Sequence, residues 1–443
     1  MGPYACIPEQ SLWGLIPMIV YIVLAFMPRL SSIAAVFLAC VVGFFLTGQT
    51  PAMFGSLITE SLGSTLGLIG LIIMMGAGLG ELMTESGVSH TLVCWVINGI
   101  GVKTQKRAIL ALMVVTVLVC GLLGTLAGGC AIIAPIMIPV VAAAGIKPAT
   151  VGAVFQSAGE TGIIWGPFSG PTVTLLALTG LGYGGMMLWA ALPYGIIWLI
   201  VIYFVALHIQ KDPKYEEQYE LSDGEKEAMQ ITSVMKRTTL AFLAVFLGLV
   251  IYSLVTKQGT AYTIFVMIVL MLVISVFSKK SLGSSMRSFS SGMASMAETF
   301  FMFLLLNVLM EYVSYGGGFE ALGELFLRFV GEGSRALVVV FGTLVGSFGI
   351  NGGAVAQLQV THDLFKGALE LTKVPMEVWA IALICGSRVT SSIYPGSNML
   401  APMGLARSKS LKAMLLGGWA VSMVSLLFII LWAYIGMPVF FPA

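Results

Sequence analysis

Two ionisable residues stand in surroundings that are otherwise apolar or small: Glu160, in Gly159-Glu160-Thr161-Gly162, and Arg388, in Gly386-Ser387-Arg388-Val389-Thr390-Ser391-Ser392. A guanidinium grips a carboxylate through two parallel hydrogen bonds. A glutamate in such a place carries a proton, helps to bind a cation, or neutralises the arginine. The competing reading is a single structural ion pair. Short neutral oxygen donors accompany both residues, always beside Gly or Pro: Gly124-Thr125, Pro167-Phe168-Ser169-Gly170-Pro171-Thr172, Asn351-Gly352-Gly353 and Pro395-Gly396-Ser397-Asn398. A helix interrupted by Gly or Pro leaves bare N–H groups at one stump and bare C=O groups at the other. The first attract an anion, and the second, with hydroxyls and amides, coordinate sodium. The expected anion ligands are therefore Ser169, Thr172, Arg388, Ser397 and Asn398. The expected cation ligands are Gly124, Thr125, Glu160, Thr161, Asn351, Gly352, Ser387 and Thr390.

Other ionisable residues read more plainly. Glu81 and Glu85 close an apolar run beside Gly87, and Glu311 is their counterpart; interfacial roles suit all three. Glu298 is placed to cap a helix, and His90 and His208 read as interfacial. His362-Asp363 belongs either to a proton path or to a solvated loop. Met74-Met75 and Met186-Met187 read as packing. The six cysteines form no CxxC pair and mostly lie in apolar runs, which speaks against disulfides or zinc. No HExxH or Walker A pattern occurs, so no enzyme and no cofactor is expected beyond a coupling ion.

The elements holding these residues must lie in a bilayer. Hydrophobic residues make up 58% of the 443 and charged residues 9%, too few to coat a soluble surface. The net charge of +2 brings no basic or acidic tail, and nothing points to nucleic acid. The first apolar stretch lacks a basic lead and a cleavage signature, so it reads as a span. Apolar runs of spanning character lie near 11–28, 31–48, 63–83, 108–123, 186–208, 238–255, 261–278, 299–313, 336–348 and 413–435. Between them, 124–182 and 342–410 are apolar but repeatedly interrupted by Gly, Pro, Ser, Thr and Asn. Irregular backbone at membrane depth must be buried or line a wet cavity, so function belongs there.

The polar stretch 209–237 divides the chain into halves, 1–208 and 238–443, that look related. Gly124-Thr125-Leu126-x-Gly128 matches Gly342-Thr343-Leu344-x-Gly346. Pro148-x-x-Val151-x-Ala153 and Gly159 match Pro375-x-x-Val378-x-Ala380 and Gly386. Pro167-Phe168-Ser169-Gly170 faces Pro395-Gly396-Ser397-Asn398, and Glu81-x5-Gly87 faces Glu311-x5-Gly317. Lys and Arg favour cytoplasmic loops. Corresponding loops differ in these residues, which indicates an inverted repeat. Placing 29, 103–107, 209–237, 279–287 and 407–412 in the cytoplasm sets both termini outside. Inverted halves with paired interruptions point to a secondary transporter site near the midplane. An anion channel and an intramembrane hydrolase are the alternatives from other classes.

The interrupted segments also carry a resemblance. Gly124-Thr125-Leu126-Ala127-Gly128-Gly129, Ile138-Pro139-Val140, Ala144-Gly145-Ile146 and Gly162-Ile163-Ile164-Trp165-Gly166-Pro167-Phe168-Ser169 resemble the ion transporter superfamily. The likeness is strongest to the large membrane subunit of TRAP transporters and to the gluconate and NhaC-type antiporter branches. Glu81-Leu82-Met83-x-x-Ser86-Gly87 is similar to a recurrent pattern of that superfamily. The resemblance covers about 60–180 and, through the repeat, 295–412. It implies an all-α polytopic elevator carrier with two re-entrant hairpins. Scaffold helices fall in 11–60 and 238–290, and transport elements in 61–182 and 295–412. It also implies a homodimer in the cytoplasmic membrane that couples a small organic anion to Na+ or H+. The chain departs from TRAP-type patterns in its shorter hairpin motif, in Pro167-Phe168 where a double Pro is usual, and in lacking a fused small subunit. Glu160 after Gly159 loosely fits the NhaC-like branch, whose Na+/H+ exchange is the alternative activity.

Overall fold

The structure is a computed structural model, which describes residues 11–25, 27, 30–102, 104–220, 231–256, 258, 260–319, 321, 334–349 and 354–442. Among these residues the architecture is entirely helical. The first half supplies α1 (Ile16–Ala25), α2 (Ser32–Thr47), α3 (Pro51–Leu62), α4 (Thr65–Glu85), α5 (Val88–Ile100), α6 (Gln105–Leu123), α7 (Leu126–Ala143), α8 (Pro148–Trp165), α9 (Gly170–Thr179) and α10 (Tyr183–Lys211). The second supplies α11 (Ser233–Thr256), α12 (Tyr262–Phe277), α13 (Leu282–Ala294), α14 (Ala297–Tyr315), α15 (Arg335–Leu344, wound on as a π turn Val345–Gly349), α16 (Ala354–Thr372), α17 (Met376–Ile393), α18 (Ser397–Leu405) and α19 (Leu411–Phe440). Among the described residues, seven helices are long and apolar enough to cross a membrane.

Local chemistry sets the ends. Ser31, Thr50, Ser64 and Thr104 cap α2, α3, α4 and α6 by accepting a backbone N–H. Gly124 stops α6 in the left-handed conformation, at φ 68°. The chain then doubles back. Gln105 Nε2 donates to Gly145 O at 3.2 Å, joining the open ends of α6 and α7. Near the turn a methyl group on Gly129 would lie 3.0 Å from Cys120 Cα. α8 returns parallel to α6, so tightly that a methyl on Gly121 would lie 2.8 Å from Gly162 O. Small residues at helix contacts let backbones meet where lipid supplies no hydrophobic drive.

Packing gathers two bodies. α4 lies along α13 and α14, and α14 lies along α2. In the other body α8 touches α6, α10, α18 and α19, while α17 touches α15, α16 and α19. On sequence α4 begins the moving elements; its main partners are helices of the first body. At one end of the molecule the connector is fastened down. Gln210 binds Gly145 O and Lys147 N, Glu217 accepts from Ser408 Oγ and Lys409 N, and Tyr219 OH donates to Ala406 O. Lys106, Arg107, Lys147, Lys211 and Arg407 therefore share one end, called here the basic end. α15 starts at the opposite end: Arg335 donates to Thr372 O and Phe441 O.

Candidate functional site

The chain leaves helical geometry at 166–169, between α8 and α9, and at 394–396, between α17 and α18. Pro167 and Pro395 follow residues held extended, as a residue before proline prefers. The tetrapeptides 167–170 and 395–398 each lie where a helix opens, α9 and α18. The first break meets the α6–α7 turn, because a methyl on Gly124 would lie 3.2 Å from both Phe168 O and Ser169 Cα. It also meets α4 and the start of α16: Gly76 packs on Phe168 O, and Gly170 on Ile73 and Val355.

Glu160 and Arg388 are not in the breaks. Each lies inside an uninterrupted helix, α8 or α17, as do Thr161, Ser387 and Thr390. Their glycine neighbours serve contact rather than interruption. Gly159 gives room to Leu126 at the start of α7, and Gly386 faces Gly346, where a methyl on Gly386 would lie 3.2 Å from the Gly346 Cα. α8 and α17 cross so that Gln156 Nε2 donates to Ser391 O and Arg388 Nη1 donates to Glu160 Oε2. The two expected charges are one ion pair joining the halves, and their side chains are only 2% and 1% exposed. Arg388 Nη2 and Glu160 Oε1 remain buried with no partner among the described residues. Each charge is thus half satisfied. Burial this deep is costly unless every donor and acceptor finds a mate.

Oxygen atoms collect at two places. At the first, the carbonyls of Ile163 and Ile164 have lost their helical partners to the break. Ser169 Oγ donates to Ile163 O at 2.5 Å, and Thr172 Oγ1 lies 3.1 and 2.9 Å from Ile163 O and Ile164 O. Ser169 also caps α9 by accepting from Thr172 N. These hydroxyls are committed to carbonyls, which suits a cation's surroundings better than the anion contact expected of them. At the second, the π turn brings the carbonyls of Gly346 and Ser347 to Thr390 Oγ1, at 3.0 and 2.7 Å, and Gln357 Nε2 donates to Thr390 at 2.6 Å. Ser347 Oγ is buried there without a partner among the described residues. Sequence reasoning missed Gln357; a glutamine within the otherwise apolar start of a helix was the available signal.

The remaining candidates scatter. Thr161 donates to Ser157 O and Ser387 to Ile384 O, each within its own helix. Thr125 precedes α7 without a side-chain cap bond, as Gly396 precedes α18. Ser397 and Asn398 are exposed in the first turn of α18. Asn351 and Gly352 lie outside the described residues. The pairing of Gly124-Thr125 with Gly342-Thr343 fails: Gly124 makes a turn, whereas Gly342 sits within α15 against the Trp379 ring. His362 accepts from Trp379 Nε1 at 3.0 Å, and Asp363 from Gln359 at 2.8 Å.

The described residues, all helical, with these spans, two helix breaks and a buried charge pair between the halves, have the build of a multi-pass membrane protein. Two solved transporters share the fold. MtrF of Neisseria gonorrhoeae, from a class of antimetabolite efflux pumps, superposes with a TM-score of 0.61 at 16% identity, over 98% of this chain and 97% of its own. The YdaH transporter of Alcanivorax borkumensis, described as having an unusual topology, superposes with a TM-score of 0.62 at 15% identity, over 96% and 99%. The family model of DcuC, the C4-dicarboxylate anaerobic carrier, matches residues 14–437, and the chain belongs to that family. The Gnt-II system L-idonate transporter of Escherichia coli (strain K12) is 33% identical over 141 residues, which are 32% of this chain and 31% of that protein. The chain thus matches under a third of that relative's length. Its family is one of membrane carriers.

Proposed function

We propose that this protein is a secondary active carrier of a small dicarboxylate, driven by a sodium or proton gradient through alternating access. The observation that carries the reading is the half-satisfied Glu160–Arg388 pair beside the start of α7. Arg388 Nη2 offers a buried donor to one carboxylate. The second carboxylate meets bare N–H groups at the first turns of α7 and α18, which lack side-chain caps and belong to helices in contact with each other. Glu160 keeps the guanidinium neutralised when no anion is bound, or takes up the coupling proton. The carbonyl and hydroxyl clusters at Ile163–Thr172 and Gly346–Thr390 suit sodium, a hard cation with oxygen ligands.

In this reading α6–α10 and α15–α19 form the moving body. α1–α4 and α11–α14 form a scaffold that pairs two copies, and the basic end faces the cytoplasm. The element order α6–α10 recurs as α15–α19 from the opposite end, which supports inverted halves.

The test is uptake of a labelled four-carbon dicarboxylate into proteoliposomes under an imposed sodium or pH gradient. Saturable uptake that follows one gradient is the expected result. Sodium-dependent proton flux with no organic solute marks the antiporter instead, and non-saturating anion flux marks a channel.

A further inference from the structure

A cavity of about 830 Å³ opens at the basic end, between α5 and α7, with Met235 of α11 closing one side. That is the size of a small-molecule site, typically about 300–1,000 Å³. Its lining is largely apolar, with a polar side that includes the Glu85 carboxylate, held by Lys280 at 2.7 Å. Ser86, Ser89, His90 and Asn98 line it, and the Ser89 hydroxyl is buried with no partner among the described residues.

The opposite wall is α7, whose exposed face reads Ala127, Gly128, Ala131, Pro135. No large side chain stands on that face between the α6–α7 turn and the cavity. Pro135 and Pro139 are interior to α7 and line the cavity. Proline has no N–H, so the carbonyls of Ala131 and Pro135 lose their partners one turn on. In a membrane such carbonyls need a substitute partner, and beside a cavity water supplies one. The buried hydroxyl and the freed carbonyls belong to this cavity, and the exposed small residues Ala127 and Gly128 lead from it toward the turn at Gly124.

Resting on the dicarboxylate reading above, we propose that this cavity is the passage by which the carried anion reaches water at the basic end, with Ser89, His90 and Asn98 donating hydrogen bonds along it. The track takes a slender, unbranched diacid past Gly128 and Ala131.

Cys94 lines the same cavity, with Sγ 3.9 Å from His90 Nε2. It is the only described cysteine that is not buried. It therefore serves as a native address, in a Cys6→Ser background and in proteoliposomes of known orientation. A membrane-impermeant biotin maleimide supplied to the basic end is expected to label Cys94, as read by mass spectrometry, and a four-carbon dicarboxylate is expected to slow labelling. The adduct fills the passage, so uptake should fall about tenfold or more, since interiors leave no room for a second occupant. Cys94→Ala should abolish the sensitivity. Ala131→Cys in that background should restore it from the other wall. Complete labelling with unchanged uptake overturns the proposal, and so does labelling only from the opposite end. The unmodified protein is the separate control. If it takes up no dicarboxylate, the functional reading fails, while the passage still stands or falls on the sidedness of labelling.

Discussion

Replacing Glu160 by Gln separates a structural pair from a working one. The Arg388 side chain is 2% exposed and that of Glu160 1%, so the substitution strands a guanidinium where water cannot reach it. Breaking a buried pair from one side costs about 3–5 kcal/mol. Removing both charges, as in Glu160→Gln with Arg388→Gln, costs far less, because replacing a buried pair outright is often neutral. The single variant should therefore be strongly destabilised to denaturant in mixed micelles, and the double variant should recover most of the loss. Transport should not recover with it. The double variant is expected to fold and to carry no dicarboxylate in proteoliposomes. A single variant within about 0.5 kcal/mol of the parent, the range of ordinary surface substitutions, would refute the desolvated pairing. A stable double variant with unchanged KM would refute the part given to Arg388 in holding the anion.

Arg388→Lys keeps the charge but loses the planar fork; the KM for dicarboxylate should rise about tenfold or more, and an unchanged KM dismisses the clamp. Thr390→Val deletes the hydroxyl that meets the carbonyls of Gly346 and Ser347. Its expected signature is weaker dependence on the driving cation with little change in anion KM, at a stability cost of about 1 kcal/mol. Gly121→Ala places a methyl 2.8 Å from Gly162 O and should cost about 1–3 kcal/mol in unfolding measurements, by forcing α6 from α8.

The two helix breaks were legible because Gly166-Pro167 and Pro395-Gly396 combine a residue that cannot donate with one that need not stay helical. The places where reading failed share one cause. Gly159, Gly162 and Gly386 look like interruptions in a string of letters. In space they are contact points, where a methyl would strike Leu126, the Val117 carbonyl or Gly346. Sequence does not distinguish a glycine that ends a helix from one that lets two helices touch. The Gly342-Thr343 match failed for the same reason. Glu160 and Arg388 were legible as residues, since charges are rare in such surroundings. Their pairing was one of the readings open from sequence, and choosing it required knowing that α8 and α17 run antiparallel across each other. Ser169 and Thr172 were legible as polar groups near a break, but not in the direction of their hydroxyls, which follows from where the orphaned carbonyls of Ile163 and Ile164 point.

The glycines of α4 have a mechanical consequence. Gly76 and Gly80 turn toward Phe168 and Leu123 of one body, while Gly70 and Gly78 turn toward Phe300 and Phe289 of the other. Side-chain ridges normally lock neighbouring helices into a fixed notch. The wall offered to the body of Phe168 and Leu123 is planed down at Gly76 and Gly80 and has few teeth there to disengage. Displacement of one body along it would proceed as over a smooth rail, with little interdigitation to undo at each step.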